Sequence, residues 1–254
     1  QLFVLDPLRQ INPAKDSSAA LMQAAQRSGD EIWACTPSDL IARGDEPLAM
    51  ALPVTPDPWI GVGAPERQAL AGFDVIWMRK DPPFDIHYLF ATLLLSQANG
   101  PVMVNDPRAL RDENEKLFAL EFADLCPKTL VSSDMGLLLE FRETLGGEMI
   151  VKPLDGAGGR GIFHITQGDR NASVILETST SNGSVLVMAQ QYIPEVRSGD
   201  KRIILIEGEP AGAVLRVPAA NDARANFHTG GRAVHTELTD RERQICTRIG
   251  PTLR

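Results

Sequence analysis

Short apolar runs alternate with amphipathic stretches along the N-terminal part of the chain. Asp16 and Ser17 can cap a helix that Gly29 ends, and residues 86–100 predict a mostly apolar helix ending at a glycine. Apolar runs rich in β-branched or aromatic side chains predict strands at residues 2–6, 31–35, 73–79 and 101–105. This alternation is typical of a parallel sheet covered by helices on both faces.

Two segments depart from the alternation. Residues 43–72 are rich in Pro and Gly, and we predict irregular or edge structure there. Asp106 and Pro107 can cap and begin a helix that Pro127 ends. The apolar stripe of this predicted helix consists of Leu110, Leu117, Phe118, Phe122 and Leu125.

Beyond residue 127 the pattern favours an α+β arrangement with antiparallel pairing. Strands are predicted near residues 129–133, 149–154, 161–166 and 185–193, with helices near 135–145 and 172–178. Two apolar runs around Glu207-Gly208-Glu209-Pro210 predict a hairpin over residues 201–218. We therefore place a domain boundary near residue 113.

Composition narrows the function classes. The chain has 254 residues, of which 43% are hydrophobic, and a formal net charge of −8. The acidic balance argues against a nucleic-acid partner, and no apolar run is long enough to span a membrane. Cys35, Cys126 and Cys246 lie far apart without metal-ligand spacing, which fits free thiols in a reducing, cytoplasmic compartment.

The stretch DGAGGRG, residues 155–161, carries candidate chemistry. Its glycines fit the dinucleotide-binding pattern G-x-G-x-x-G, but that pattern requires a following helix, and IFHIT at 162–166 predicts a strand. A Walker A loop is excluded because no Gly-Lys-Ser/Thr follows. A glycine loop between two strands can instead cover a triphosphate with backbone N–H groups, and Lys152 on the preceding strand could neutralise a phosphate. The alternatives are a plain turn and a solvated lysine.

Five blocks in order carry a family resemblance. They are MRKDPPFD (78–85), LRDENEKLF (110–118), VKPLDGAGGRGIF (151–163), MAQQYIP (188–194) and GDKRIILIEGEP (199–210). Together they resemble the bacterial glutathione synthetase family of ATP-grasp ligases, from Leu2 to Arg254. The resemblance implies an α/β protein with an ATP-grasp fold preceded by a Rossmann-like (pre-ATP-grasp) parallel-sheet domain. Residues 1–113 would be the N-terminal substrate-binding domain and 114–254 the ATP-grasp domain, with an α+β lid over about 127–192.

The family resemblance also implies a reaction. ATP phosphorylates the Cys carboxylate of γ-glutamylcysteine, and the amine of glycine attacks the acyl phosphate to give glutathione, ADP and phosphate. No enzyme nucleophile is needed, so the protein acts by positioning and charge neutralisation. The alternatives are another ATP-grasp carboxylate–amine ligase, a non-catalytic nucleotide-binding fragment and, disfavoured by the strand after the glycine loop, an NAD-binding protein.

Residue roles follow from matching positions in the family. The nucleotide-binding candidates are Lys116, Lys152, Gly156, Gly158, Gly159, Gly161, Gln191, Tyr192, Ile193 and Asp200. The resemblance implies that Arg202 and Arg216 face the transferring phosphoryl group and the tetrahedral intermediate. The substrate-binding candidates are Asp16, Ser17 and Arg79, near the dipeptide, and Arg224, Asn226 and Arg232, in a polar loop over residues 218–232.

The expected metal site has no match in the sequence. The family holds Mg²⁺ with an Asp, and then a Glu and an Asn two residues apart, on late strands. We name no metal ligand, and expect those strands in a C-terminal part beyond Arg254. We expect residues to be missing at both ends, and a chain of only this length to be inactive and unstable. Family analogy further implies a homo-oligomer, often a tetramer.

Overall fold

The computed structural model describes residues 1–57, 59, 61–218 and 231–254. It divides into two compact units, Gln1–Asn114 and Glu115–Arg254. No helix among the described residues has both the length and the apolar character needed to cross a bilayer.

The first unit is built around a mixed eight-stranded sheet. Its elements are β1 (Leu2–Val4), α1 (Ser17–Arg27), β2 (Ile32–Cys35), β3 (Leu40–Arg43), β4 (Glu46–Thr55), β5 (Gly61–Val62), β6 (Glu66–Ala69), β7 (Val75–Met78), α2 (Ile86–Leu95), β8 (Val102–Val104) and α3 (Pro107–Asp112). The strand order is β3-β4-β2-β1-β7-β8, with β5 and β6 paired to β4. The strands β2, β1, β7 and β8 are parallel, as the alternation predicts.

Strand β1 is buried on both faces. Leu2 and Val4 pack in a cluster with Leu95 of α2, whereas Phe3 packs in a second cluster with Met22 of α1. Successive strand side chains point to opposite faces, so the two helices cover opposite sides of the sheet. The prediction of a parallel sheet covered on both faces is therefore confirmed for these strands.

Three details of the first half were predicted wrongly or incompletely. Residues 46–55 form the ten-residue strand β4, antiparallel to β2, because Pro47 and Pro53 interrupt the apolar pattern without ending the strand. Helix α2 ends at Leu95 rather than at a glycine. The single helix predicted after Pro107 does not form: α3 ends at Asp112, and a 3₁₀ helix over Phe118–Leu125 follows, with a non-helical residue inside it.

The second unit contains two antiparallel sheets. Its elements are β9 (Thr129–Ser132), α4 (Met135–Thr144), β10 (Met149–Pro153), β11 (Phe163–Ile165), α5 (Ala172–Ser179), β12 (Val187–Gln191), β13 (Asp200–Ile206), β14 (Glu209–Val217), β15 (Arg232–His235) and α6 (Asp240–Ile249). The first sheet has the order β11-β10-β12-β9 and the second β13-β14-β15. On one face of the first sheet, Val151 clusters with Leu138 of α4 and Leu176 of α5.

The predicted hairpin over residues 201–218 is confirmed as β13 and β14. Glu207 and Gly208 turn the chain with φ of 52° and 76°. Because a side chain strains the backbone in this left-handed region, glycine suits the second turn position.

Candidate functional site

The glycine loop connects two antiparallel strands. Strands β10 and β11 pair with Val151 opposite Phe163, so the loop runs between adjacent sheet strands. Gly158, Gly159 and Gly161 have φ of 66°, 79° and 68°, a region that other residues adopt at a cost. The strand–loop–strand prediction is confirmed, and the helix that a dinucleotide-binding loop requires is replaced by β11.

The two ends of the loop fold against one proline ring. A Cβ on Gly156 would lie 3.0 Å from Cγ of Pro153, and a Cβ on Gly161 would lie 3.2 Å from the same atom. Side chains at either glycine would push the loop away from Pro153. Glycine at these positions therefore allows the close approach that gives the loop its shape.

Lys116, Lys152 and the glycine loop meet at one cavity of about 290 Å³. The Lys116 ammonium donates to the carbonyl oxygen of Gly156 at 2.6 Å and pairs with Glu115 at 2.7 Å. Arg160 also lines the cavity, a position that the sequence analysis did not single out. The one sign of Arg160 in the sequence is that it is a basic residue inside a glycine-rich loop.

The electrostatics of the cavity favour an anion. Burial lowers the pKa of Lys152, and the neighbouring Lys116 lowers it further. Three cationic side chains line the cavity, and Glu115 is the one acidic residue among its lining residues. An anion with several charges, such as a polyphosphate, would offset the repulsion between the two lysines.

The predicted hinge segment, residues 191–193, begins at the last residue of strand β12. The backbone N–H of Gln191 already donates to the carbonyl of Lys128 at 2.9 Å, and the carbonyl of Ile193 accepts from Val196. Met149 and Gln191 form the last pair of the β10–β12 ladder, so the backbone of Tyr192 lies at the end of the sheet, where a ligand could approach it. The side chain of Ile193 is 47% exposed and offers an apolar surface beside it.

Asp200 and Arg216 lie opposite each other on β13 and β14. Arg216 Nε donates to one carboxylate oxygen of Asp200 at 2.6 Å, and Nη2 donates to the other at 2.8 Å. Arg202 is exposed two residues along β13, on the same face of the sheet. The structure therefore brings these three predicted site residues onto one face.

The remaining loop candidates are placed differently. Arg232 pairs with Val217, and therefore points to the sheet face opposite Asp200 and Arg216. His235, which was not predicted, lies opposite Val214 and shares the face of Arg216. Arg224 and Asn226 lie outside the described residues.

Arg79 joins the substrate candidates of the first unit. It follows β7, and its guanidinium donates to Ser17 Oγ at 2.8 Å and to Ser18 Oγ at 3.2 Å. Asp16 caps α1 by accepting from the backbone N–H of Ser18 at 2.7 Å. The cluster thus combines a helix N-terminus with an arginine beside the end of a parallel strand, an arrangement suited to a carboxylate.

Known families match nearly the whole chain. Residues 1–111 match the N-terminal domain of prokaryotic glutathione synthetase, and residues 115–254 match its ATP-grasp domain. Glutathione synthetase from Parasynechococcus marenigrum is 56% identical over all of this chain and 83% of its own length. That from Pseudomonas syringae pv. tomato is 45% identical, over 99% of this chain and 81% of its own.

Solved structures support the fold independently of sequence. D-cycloserine synthetase DcsG superimposes with a TM-score of 0.67 at 14% identity, over 99% of this chain and 80% of its own. A RimK domain ATP-grasp protein from Sphaerobacter thermophilus superimposes with a TM-score of 0.62 at 18% identity, over 98% of this chain and 81% of its own. Both confirm the predicted ATP-grasp architecture.

Proposed function

This chain belongs to the prokaryotic glutathione synthetase family, and from that membership we propose which of its residues perform ATP-dependent glutathione synthesis. The observation that carries the proposal is the cationic cavity, where Lys116 and Lys152 meet the glycine loop. The first unit would serve as the substrate-binding domain and the second as the ATP-grasp domain.

The phosphate end of ATP would occupy the cavity. Lys116, Lys152 and Arg160 neutralise its charge, and the glycine loop covers it with backbone N–H groups. Tyr192 and Ile193 hold the adenine, with backbone polar groups at its edge and an apolar side chain beside it. Asp200 lies toward the ribose and orients Arg216 through their two-point contact.

The proposed reaction needs no covalent enzyme intermediate. The cysteinyl carboxylate of γ-glutamylcysteine attacks the γ-phosphorus, and the bond from that phosphorus to ADP breaks. The neutral amine of glycine then adds to the acyl carbon, loses a proton and expels phosphate. Arg202 and Arg216 stabilise charge on the transferring phosphoryl group and on the tetrahedral oxyanion.

The dipeptide would bind at the Arg79 cluster. The helix N-terminus at Asp16 and Ser17, together with the Arg79 guanidinium, would receive a carboxylate. Arg224 and Asn226 remain candidates to contact substrates. Arg232 is a weaker candidate, since its side chain belongs to the sheet face away from Arg216.

The family uses ATP and typically Mg²⁺. Among the described residues, no three His, Cys, Asp or Glu side chains come together in a way that could hold a metal ion. Magnesium ligands are therefore not assigned to any of the described residues. We further propose that the protein is cytoplasmic and forms a homo-oligomer, by family analogy a tetramer. Light scattering would measure the oligomeric state.

The deciding experiment measures phosphate release from ATP with γ-glutamylcysteine and glycine added separately and together. We expect release coupled to glutathione formation only when all three substrates are present. Release with a different amine in place of glycine would instead indicate another carboxylate–amine ligase. ATP binding without release would indicate the non-catalytic alternative.

A further inference from the structure

His164 has no role in the site described above, although it lies between two of its parts. It belongs to β11, which follows the glycine loop directly. Its ring stacks on Tyr192 of the hinge segment, with ring centroids 4.0 Å apart and planes at 24°. One side chain thus connects the glycine-loop hairpin with the segment proposed to hold adenine.

The contact passes over β10, which lies between β11 and β12 in the sheet. Ile150 of β10 lies opposite both His164 of β11 and Gln190 of β12. His164 lies on β11 and Tyr192 directly follows β12, so the rings come from the two sides of β10. They meet although β11 and β12 are not paired with each other. The stack therefore connects β11 with the segment after β12, which the backbone hydrogen bonds of the sheet do not join directly.

Glu148 fixes the orientation of the histidine ring. His164 Nε2 lies 2.8 Å from Glu148 Oε1. Because an ionised carboxylate only accepts hydrogen bonds, Nε2 carries the proton in both the neutral and the cationic ring. The side chains are 31% and 42% exposed, so the pair is only partly shielded from solvent.

Tyr192 is held at its other end as well. Its hydroxyl oxygen accepts a hydrogen bond of 3.1 Å from Nε of Arg197. A ring stacked on one face and hydrogen-bonded at its tip has little rotational freedom. The backbone of Tyr192, which the proposed function places at the base edge, is then fixed with it.

We propose that His164 is a positioning residue for the nucleotide base. Held by Glu148, it orients Tyr192 and so sets the backbone geometry that receives adenine. This inference rests on the proposed nucleotide site and adds a determinant of base recognition outside it.

The test compares His164→Ala with His164→Phe, which keeps a ring for stacking. We expect the alanine variant to raise KM for ATP by roughly two- to tenfold, the range for an aromatic pair, with little change in kcat. Its preference for ATP over GTP should fall, because the groups at the base edge lose their fixed geometry. The phenylalanine variant should keep most of the wild-type KM for ATP and most of the preference for ATP over GTP. As a control, His87→Ala, on α2 of the first unit, should change neither quantity.

A double-mutant cycle with Tyr192→Leu provides a second measurement if one variant folds poorly. The two substitutions should be non-additive in KM for ATP, since either removes the same stack. Additive effects, an unchanged KM in His164→Ala, or a matching loss in His164→Phe would overturn the inference. Lys152→Met separates this from the parent proposal: if it leaves ATP binding intact, the nucleotide site itself is wrong.

Discussion

The Lys116 ammonium donates a hydrogen bond of 2.6 Å to the carbonyl oxygen of Gly156, at the start of the glycine loop. Its side chain is only 11% exposed, although the sequence places it among acidic neighbours typical of a solvated helix. The contact ties the segment before the 3₁₀ helix to the loop. Lys116 thus places a positive charge in the cavity and also holds, by its hydrogen bond, the loop that would cover ATP.

Replacing Lys116 by Met should weaken ATP binding by roughly 10- to 100-fold, the range for a hydrogen bond to a charged group. Isothermal titration with ATP measures the loss directly. Lys128→Met is the matched control, because Lys128 is exposed and does not line the cavity. Equal effects in the two variants would contradict a specific role for Lys116.

Lys152→Met should remove ATP binding without destabilising the free protein. Burial, then Lys116, lowers the pKa of Lys152 in the folded state, so its charge opposes folding. The unfolded chain binds that proton more tightly. The free energy of unfolding of the wild type should therefore rise with pH, from the lowered pKa up to the ordinary value of 10.5. Urea unfolding at several pH values should show that the Met variant lacks this contribution; an identical pH dependence would contradict it.

Gly158→Ala should impair the loop through its backbone rather than through a clash. Gly158 has φ of +66°, while a Cβ there would meet nothing within 4 Å. A left-handed alanine costs about 1–2 kcal/mol, which we expect as a higher KM for ATP or a lower free energy of unfolding. Gly158→Asn should be milder, because Asn tolerates this region better. Gly72→Ala, with open space and no positive φ, should be neutral.

Local patterns predicted most elements of the sheets, because β-branched runs and capping residues act over a few positions. The failures have physical causes. The prolines of β4 interrupt the strand pattern in the sequence, although the strand forms because it pairs with β2, β3 and β6. The stripe from Leu110 to Leu125 has helical spacing, yet Leu110 packs in the core of the first unit, whereas Phe118 pairs with Phe122.

The candidate site was predictable where a motif concentrates its residues. The glycine loop and Lys152 follow from the residues themselves, whereas Lys116 required the family resemblance. Arg160 and the stack of His164 on Tyr192 could not be predicted, because they depend on the shape of the loop and on strand register. The sheet face of Arg232, opposite to that of Arg216, could not be predicted for the same reason, because a one-residue change of register reverses the face of a side chain. Its predicted contact with the substrates stays a prediction.

Arg216→Lys should lower kcat by roughly 10- to 1000-fold, since an ammonium cannot reproduce the two-point contact that orients the guanidinium. Arg248→Lys is a matched control. Arg248 contacts Asp124 in the same two-point manner, but the side chains are 49% and 62% exposed, against 18% and 38% for Arg216 and Asp200. An exposed pair contributes little, so the control should keep its activity and stability. Steady-state kinetics with all three substrates decides between a specific effect and a general one.

Arg79→Ala should raise KM for γ-glutamylcysteine by roughly 10- to 100-fold and leave KM for ATP unchanged, because the charged group would bind only the dipeptide. Ser17→Ala should have a smaller effect, since it removes one hydroxyl that orients the guanidinium but keeps the charge. Arg67→Ala, an exposed arginine on β6 of the same unit, serves as the control. If Arg79 only supported the fold, Arg79→Ala would lower the unfolding midpoint and change KM for all three substrates to the same extent. If KM for ATP or glycine rises as much as KM for the dipeptide in Arg79→Ala, the cluster at the start of α1 is not the dipeptide site.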